Sequence, residues 1–535
     1  MIAYCSESYP TTMMTLTANT THRLSTEAIT AVLQQHTLLI QTVNTPNLDT
    51  PLTAVVSDSR KASANSVFVA LVGAKQDGHL YLPQALAAGC TTLVVQTGHY
   101  NPATIPTHVT VLTVSNTYHA FAVLNAALQG NPGHLLQMIG VTGTNGKTTV
   151  THLIERILQH TGKTVGLVGT LGVRNASNTT DAPTSYVETG HTTPMADELQ
   201  HYLATMHAQG TEAVVMEVSS HALDQHRVTG CDFQVTVITN LTQDHLDYHQ
   251  TMERYCQAKA QLFARQWNVA DGKPRSAVIN ADDAWATHFI NAVPTGIATL
   301  TYGIHNANAT VRATQVMYTV GGANFTVVTP QGAAPVRLKL SGEFNIYNAL
   351  AALATGLALG IPLATVIEAL ESVQGVRGRF EVVASNPSVI VDYAHTPDGL
   401  ENVLNAARQL VPEGGRLFVV FGCGGDRDAT KRPKMGAIAE RLADKLVVTS
   451  DNPRSEDPEQ IISDVLGGIQ AMNPETVKVQ ADRRLAIAEV LTWANNPLDI
   501  VVIAGKGHED YQILATETIH FDDREEVLSF LGSRG

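Results

Sequence analysis

Met138-Ile-Gly-Val-Thr-Gly-Thr-Asn-Gly-Lys-Thr-Thr149 is the stretch on which the reading of this chain turns. An apolar run leads into Gly140, Gly143 and Gly146. Lys147, Thr148 and Thr149 then open a segment with apolar residues at Val150, Leu153 and Ile154. That pattern predicts a strand, a glycine turn and a helix, in that order. Glycines let successive backbone N–H groups point into one concavity, which suits phosphate oxygens. The helix start adds partial positive charge. Gly143, Thr144, Asn145 and Gly146 supply the turn, Lys147 is placed to neutralise outer phosphates, and the Thr148 hydroxyl suits Mg²⁺. The strict GxxxxGK[ST] spacing is not met, because Val141 stands where its first glycine belongs. Such a site needs an acidic residue near the metal, and Glu217, at the end of the apolar run 213–216, is the candidate.

Working outward, six apolar runs (213–216, 235–239, 389–391, 417–421, 446–449 and 500–504) end at or just before Glu217, Asn240, Asp392, Gly422, Asp451 and Gly505. Continuous apolar runs of about five residues, alternating with helical stretches, read as buried parallel strands. Ligands of open parallel sheets bind beyond the carboxyl ends of the strands. Six polar or glycine-rich strand ends therefore predict a ligand cleft between two α/β domains. Shorter runs at 66–72 and 92–96, with an Ala-rich helical stretch at 82–88, predict a smaller α/β domain before them. The breaks Gln129-Gly-Asn-Pro-Gly133 and Gln374-Gly-Val-Arg-Gly378 divide the chain into 1–131, a central P-loop ATPase-type parallel sheet over 132–373, and a Rossmann-like α/β domain over 374–535. Residues 1–30 carry no clear pattern and read as a ragged or docked terminus.

A chain of 535 residues, at roughly 150 per domain, suits three or four domains. Acidic residues number 48 against 34 basic ones, a formal charge of −14. This disfavours nucleic-acid binding and a polybasic membrane patch, but leaves room for a local basic pocket around a small anion. The five cysteines show no CxxC spacing, which argues against a disulfide framework or a Cys-rich zinc site and for a reducing cytoplasm. The longest charge-free apolar stretch, 346–367, is interrupted by Gly356 and Gly360. It reads as two helices of a soluble domain, with no membrane insertion.

Asn240-Leu-Thr-Gln-Asp-His-Leu-Asp-Tyr-His249 begins at a strand end. His245 and His249 are four apart, so a zinc pair is conceivable, but a hard Mg²⁺ site with one imidazole fits the glycine turn better. Lys259, on a mildly apolar helical stretch, reads by itself as a surface lysine whose stem covers apolar neighbours. Asn345 reads equally as a helix cap or as a hydrogen-bonding partner of a nucleotide base. Arg427, Arg454 and Glu509 follow three strands of the last domain. Two arginines grip a carboxylate and Glu509 accepts from an ammonium, which together suit an amino-acid zwitterion.

The glycine turn, with Asn-Leu-Thr-Gln-Asp-His-Leu-Asp-Tyr-His, resembles the Mur ligases, the ATP-dependent, ADP-forming amide ligases of peptidoglycan precursor synthesis, a family in which the missing first glycine is usual. Ser57-Asp-Ser-Arg60, His191-Thr-Thr-Pro194, Glu217-Val-Ser-Ser-His221 and Gly505-Lys-Gly-His-Glu509 are similar to the members that add the third peptide residue. The resemblance implies a cytoplasmic, monomeric enzyme of cell-wall growth and division. Its substrates would be ATP, UDP-N-acetylmuramoyl-L-alanyl-D-glutamate and meso-2,6-diaminopimelate, joined through an acyl phosphate. By the same resemblance, 1–131 holds the UDP end at Ser57 and Ser59, with Lys75 and Gln76 in the next loop. Thr192, Thr193, Ser219, Gln225 and Arg227 contact the sugar and peptide. Residues 143–149, ending at Thr149, hold ATP with Asn345, Arg379 and Asp392. Lys147, Glu217, His245 and Lys259 are implied as catalytic. Thr148, Glu217, His245 and a carbamylated Lys259 are implied as Mg²⁺ ligands. Arg427, Asp451, Asn452, Pro453, Arg454, Gly505 and Glu509 form the diaminopimelate pocket.

The resemblance also marks Arg454 as discriminating, since relatives that add L-lysine lack it. Diaminopimelate carries a second carboxylate and lysine does not, and an arginine buried without a carboxylate partner is penalised by a few kcal/mol. A folylpolyglutamate synthase or the D-alanyl-D-alanine-adding ligase is the nearest alternative. A P-loop regulator of a protein partner is a more distant one, and it leaves the last domain's Arg and Glu loops unexplained.

Overall fold

A computed structural model of the chain describes residues 23–44, 51–73, 76–175, 186–264, 273–319 and 321–532. Lys75 and residues 1–22 of the unpatterned terminus lie outside them. The described residues form α/β layers around three sheets, of five, ten and six strands, plus a two-stranded ribbon.

In the ten-stranded sheet the strand Gln137–Thr142 lies between Phe233–Ile238 and Ala213–Glu217, parallel to both. Its apolar residues are buried on both faces, which is why it reads as an unbroken apolar run. The helices Lys147–His160, Glu343–Ala358 and Leu363–Ser372 bury their apolar residues in one core with the strands. The long apolar stretch is thus two helices, parted where Gly360 takes a φ of +77°, and no helix among the described residues is long and apolar enough to cross a membrane. One edge continues as an antiparallel meander, Val311–Thr319, Gly322–Thr329 and Gly332–Leu338. Here burial alternates along the strands, as expected where one face meets solvent.

In the six-stranded sheet Ser388–Asp392, Ile500–Ala504, Leu417–Phe421, Lys445–Val448 and Val477–Val479 run parallel, and Glu381–Ser385 closes one edge antiparallel. The register pairs Asp392 with Ala504, Ala504 with Phe421, and Phe421 with Val448. Four carboxyl ends therefore finish level, and the loops after them share one rim. Beneath that rim Arg483 and Asp523, fully buried, make two hydrogen bonds of 2.7 Å, and Arg483 also donates to the carbonyl of Ala504 at 3.0 Å. Removing either partner would strand a buried charge, at a cost of about 3–5 kcal/mol.

The five-stranded sheet joins Leu39–Val43, Thr110–Val114, Thr92–Gln96, Ser66–Val69 and Ala54–Val56, parallel apart from the first. Contrary to the unpatterned reading of residues up to 30, a helix spans Thr26–Gln35. Ser25 caps it by accepting from the Ala28 N–H, and Ile29 and Leu33 pack into this sheet's core. A single cap and two apolar residues one turn apart are a weak periodic signal, and the tertiary contact supplies the rest.

Candidate functional site

A cleft of about 1460 Å³ runs between the ten- and six-stranded lobes. Residues 144–149, of the glycine turn and the helix after it, line it. Gly143 and Gly146 have φ of +147° and +85°, and a Cβ would meet Thr239 Oγ1 at 1.8 Å in the first case and Asn348 Oδ1 at 2.4 Å in the second. Glycine is required at both for backbone conformation and for close approach. The turn is fastened from the neighbouring strand end: Asn240 Oδ1 accepts from the Asn145 N–H at 2.9 Å, and Thr239 Oγ1 donates to the Asn145 carbonyl at 2.6 Å. Lys147 Nζ donates to the carbonyls of Gly143 and Thr144 at 3.0 and 2.8 Å, which holds the cation over the turn. Burial lowers its amine pKa, against the pull of Glu217 and Asp244. Thr149 is buried at the base of the helix and borders the cleft.

The Thr148 hydroxyl donates to Glu217 Oε1 at 2.9 Å and accepts from Arg379 Nη2 at 3.0 Å. Glu217 also accepts from the N–H and hydroxyl of Thr170 at 2.9 and 3.0 Å. A hydroxyl and a carboxylate oxygen this close are hard oxygen donors of the kind Mg²⁺ takes. Arg379 comes from the other lobe, its guanidinium 4.3 Å from the Tyr393 ring centre.

Lys259 is not the surface residue its helix suggests; it is 1% exposed. Its Nζ donates to the carbonyl of Gly143 at 2.8 Å and lies 4.7 Å from the Tyr255 ring. The helix Met252–Ala264 turns this position onto the back of the glycine turn, a placement its mild amphipathicity does not reveal. Burial first, then Lys147, holds its amine well below the usual lysine value, which favours the neutral, nucleophilic form. The His245 ring stands 6.0 Å from the same Tyr255 ring, and burial also pushes its pKa down. His249 does not share a site with it as a zinc ligand: its Nε2 is 2.9 Å from Ser220 Oγ, in the interior. The one three-residue His/Asp group with metal-like spacing among the described residues is Asp77, His79 and His99, in the five-stranded lobe. There the His79 Nε2 accepts from the Gln96 N–H at 2.9 Å, so Nδ1 keeps the proton it gives Asp77 at 2.6 Å. Both ring nitrogens are thus in use.

Asn345 does not cap its helix, which starts at Glu343, and does not border the cleft. It is buried, donating to the carbonyl of Ser341 at 2.8 Å and accepting from Asn348 Nδ2 at 3.1 Å. Asn348, one turn on, faces the cleft beside Gly146. Spacing alone offers both amides, and only the helix rotation selects between them. Asp392 borders the cleft, accepts from the Phe380 N–H at 2.6 Å, and is pushed up to about 6 by burial.

On the six-stranded rim Arg427 and Arg454 both border the cleft. Arg454 has a φ of +54° and donates to the carbonyls of Gly425 and Asn452 at 3.0 and 3.4 Å. Glu509 Oε2 accepts from Asn452 Nδ2 at 2.8 Å and from Lys506 Nζ at 3.2 Å. Gly505, at φ +122°, would bring a Cβ within 2.9 Å of Asp451 Oδ2. Pro453 is buried between Asn452 and Arg454. Lys506, fully buried, is the residue that reading the sequence passes over. It lies 3.9 Å from Asp451 Oδ1, which has no hydrogen-bond partner. In the chain it lies just past the strand Ile500–Ala504, between Gly505 and Gly507 and three residues before Glu509. His395 and His508 both face the cleft, and burial lowers both pKa values, His395 to about 4.

The residues expected at the sugar and peptide form a second cluster. Thr193 Oγ1 donates to the Glu217 carbonyl at 2.9 Å and accepts from the Ser219 N–H at 3.0 Å. Arg227 donates to the Thr193 carbonyl at 2.9 Å and to Gln225 Oε1 at 2.7 Å. Thr192 borders the cleft next to this cluster. Ser57 and Ser59 do not line the cleft; they are half-buried at the end of a strand of the five-stranded lobe.

Comparison with known proteins gives a consistent set of relatives. The pattern of the Mur ligase middle domain matches residues 141–356, and that of the Mur ligase glutamate ligase domain matches 378–507. A protein of Synechococcus elongatus named UDP-N-acetylmuramoyl-L-alanyl-D-glutamate–2,6-diaminopimelate ligase is 47% identical over 501 residues, which cover 91% of this chain and 95% of that one. The Bacillus cereus protein of the same name is 44% identical over 483 residues, covering 90% and 94%. A solved structure bearing that name is similar with a TM-score of 0.66 and 33% identity, over 96% of this chain and 99% of the other. The fold is shared with a MurF ligase from Thermotoga maritima in complex with ADP, at TM-score 0.57 and 19% identity, over 90% and 98%.

Proposed function

The chain belongs to the Mur ligase family, and from that membership and the shape of the cleft we propose that it joins meso-2,6-diaminopimelate to UDP-N-acetylmuramoyl-L-alanyl-D-glutamate at the expense of ATP. One observation carries the reading: a single cavity joins the Lys147–Thr148–Glu217 corner of one lobe to the Arg427, Arg454 and Glu509 rim of the other.

The peptide's glutamate carboxylate attacks the γ-phosphorus of ATP, ADP leaves, and an acyl phosphate forms. The amine of diaminopimelate then attacks the acyl carbon and gives up a proton, and phosphate leaves with the bonding electron pair and, in the overall balance, that proton. Two anions meet in the first step. Lys147, Arg379 and the N–H groups of the turn offset that repulsion and favour the charge spreading over the transferred phosphoryl group. Thr148 and Glu217 would hold Mg²⁺. His245 and a carbamate of Lys259, made when its neutral amine adds CO₂ and loses a proton, would hold a second ion. Bound there, Mg²⁺ supplies charge neutralisation at the phosphates. Arg379 is contributed by the lobe that carries the amino-acid rim, so lobe closure both completes the phosphate site and shields the acyl phosphate from water. Arg454 takes the distal carboxylate of diaminopimelate, and Glu509 with Asn452 its ammonium. The UDP end lies toward Ser57 and Ser59 of the 1–131 domain, with 132–373 and 374–535 as the nucleotide and amino-acid domains.

The test is direct. Purified protein is given ATP, Mg²⁺, the UDP-linked dipeptide and either meso-diaminopimelate or L-lysine. The expected product, by mass, is the diaminopimelate tripeptide with stoichiometric ADP. ADP release without any amino acid, or preferential use of lysine, would overturn the reading.

A further inference from the structure

Asp398 stands at the second position of the helix Pro397–Leu410, which belongs to the six-stranded lobe and is capped by Thr396. Its carboxylate reaches across the cleft to the glycine turn. Three donors converge on one oxygen, Oδ2: Asn145 Nδ2 at 2.6 Å, the Thr242 hydroxyl at 3.1 Å and Asn402 Nδ2 at 3.2 Å. The first two belong to the ten-stranded lobe and the third to Asp398's own helix. Asn145 is the residue whose backbone N–H and carbonyl are held by Asn240 and Thr239. Thr242 is knitted to the same turn, since its N–H donates to Thr144 Oγ1 at 3.0 Å. The side chain of Asn145 is therefore the element of the turn that points to the other lobe.

An anion beside a phosphate-binding turn is unfavourable unless something compensates. Compensation here is local: three hydrogen bonds to one oxygen, and the start of its own helix, where negative charge is stabilised. No assigned chemical role accounts for placing a carboxylate there. A bridge between lobes does. Opening the lobes would break the bonds to Asn145 and Thr242 and leave only that to Asn402.

We propose that Asp398 is a positioning residue that couples lobe closure to the shape of the phosphate-binding turn, through its bonds to Asn145 and Thr242. The lobes close on a turn already in its anion-ready form, and a turn out of that form loses its hold on the six-stranded lobe. The inference rests on the ATP-dependent ligase reading, which is tested separately by tripeptide formation with the unaltered enzyme.

The experiment compares the unaltered protein with Asp398→Asn, Asp398→Ala and Asn402→Ala. The readouts are KM for ATP, KM for diaminopimelate, kcat, the melting temperature, and the distance between a dye pair placed one on each lobe. Asparagine keeps one acceptor oxygen but loses the charge, and alanine loses both. The expected order is a KM for ATP raised several-fold in Asp398→Asn and at least about tenfold in Asp398→Ala, with a longer inter-lobe distance at saturating ATP. Asn402→Ala, which removes only the bond within one lobe, leaves both readouts within about twofold. A carboxylate serving only to stabilise its own helix would lower the melting temperature of both Asp398 variants while leaving KM for ATP and the inter-lobe distance unchanged, and that result overturns the proposal. If the unaltered enzyme makes no tripeptide, the functional reading fails instead, and the ATP-dependent inter-lobe distance still decides the coupling.

Discussion

Replacing Lys506 with Met tests the least expected feature of the amino-acid rim. The ammonium is fully buried, 3.2 Å from Glu509 Oε2 and 3.9 Å from Asp451 Oδ1. At an effective dielectric of about 20, those separations correspond to attractions of ~5 and ~4 kcal/mol. They oppose the cost of burying all three charges, so the net loss on removing the cation falls near the ~3–5 kcal/mol seen when one partner of a buried pair is deleted. Met fills a similar volume, so no cavity term is added. The loss has a pH signature. Burial and Asp451 already hold the Glu509 pKa above its ordinary value, against the opposing pull of Lys506 and of the hydrogen bond from Asn452. Without the lysine, Glu509 takes up a proton more readily, and the strain is greatest at high pH, where Glu509 is ionised. The stability deficit of Lys506→Met is therefore expected to be about 3 kcal/mol or more at pH 8 and clearly smaller at pH 5. Urea unfolding followed by tryptophan fluorescence measures it, with Trp493 reporting from the same lobe. Adding Glu509→Gln should recover most of the loss at pH 8 while KM for diaminopimelate stays high. A deficit below about 1 kcal/mol at pH 8, or one that grows as pH falls, would refute the reasoning.

Further outcomes follow from single contacts. Arg454→Ala is expected to raise KM for diaminopimelate at least about tenfold, in line with a charged hydrogen-bonded pair, and to leave KM for ATP within about twofold; equal effects on both would count against a carboxylate role. Asp392, pushed up to about 6 in the folded chain from 3.8, destabilises the fold where it is ionised. The penalty is absent below about pH 4, grows between the two values and is complete above 6. Asp392→Asn, which keeps an acceptor for the Phe380 N–H, should then gain about 2–3 kcal/mol at pH 7 while weakening ATP binding, and a gain that persisted at pH 3 would exclude this origin. Lys259→Arg keeps a cation but gives a guanidinium that does not take up CO₂, so turnover should fall by orders of magnitude; near-normal kcat would remove the carbamate from the mechanism.

Features set by local chemistry were legible in the chain alone. The runs 417–421 and 500–504 coincide with the strands Leu417–Phe421 and Ile500–Ala504, because a strand buried on both faces must be apolar throughout. The turn at Gly143 and Gly146 was equally legible, since its backbone geometry admits little but glycine. So was the division of the apolar stretch around Gly360, where a positive φ ends a helix. These signals lie within a few residues of the feature they report.

Lys259, Asn348 and Asp398 were not legible in this way, and for each the deciding partner is far along the chain. Lys259 is buried because the carbonyl of Gly143, 116 positions away, lies over it. Asp398 meets Asn145 across 253 positions. One turn of helix separates Asn345 from Asn348, and the packing of that helix decides which amide faces the cleft. Sequence spacing records which residues share a strand or a helix face, so it identified the kind of protein and the loops that carry its chemistry. Whether an amine in one of those loops is solvated and charged, or desolvated against a distant carbonyl, depends on which segments the fold brings together, and only the folded chain specifies that.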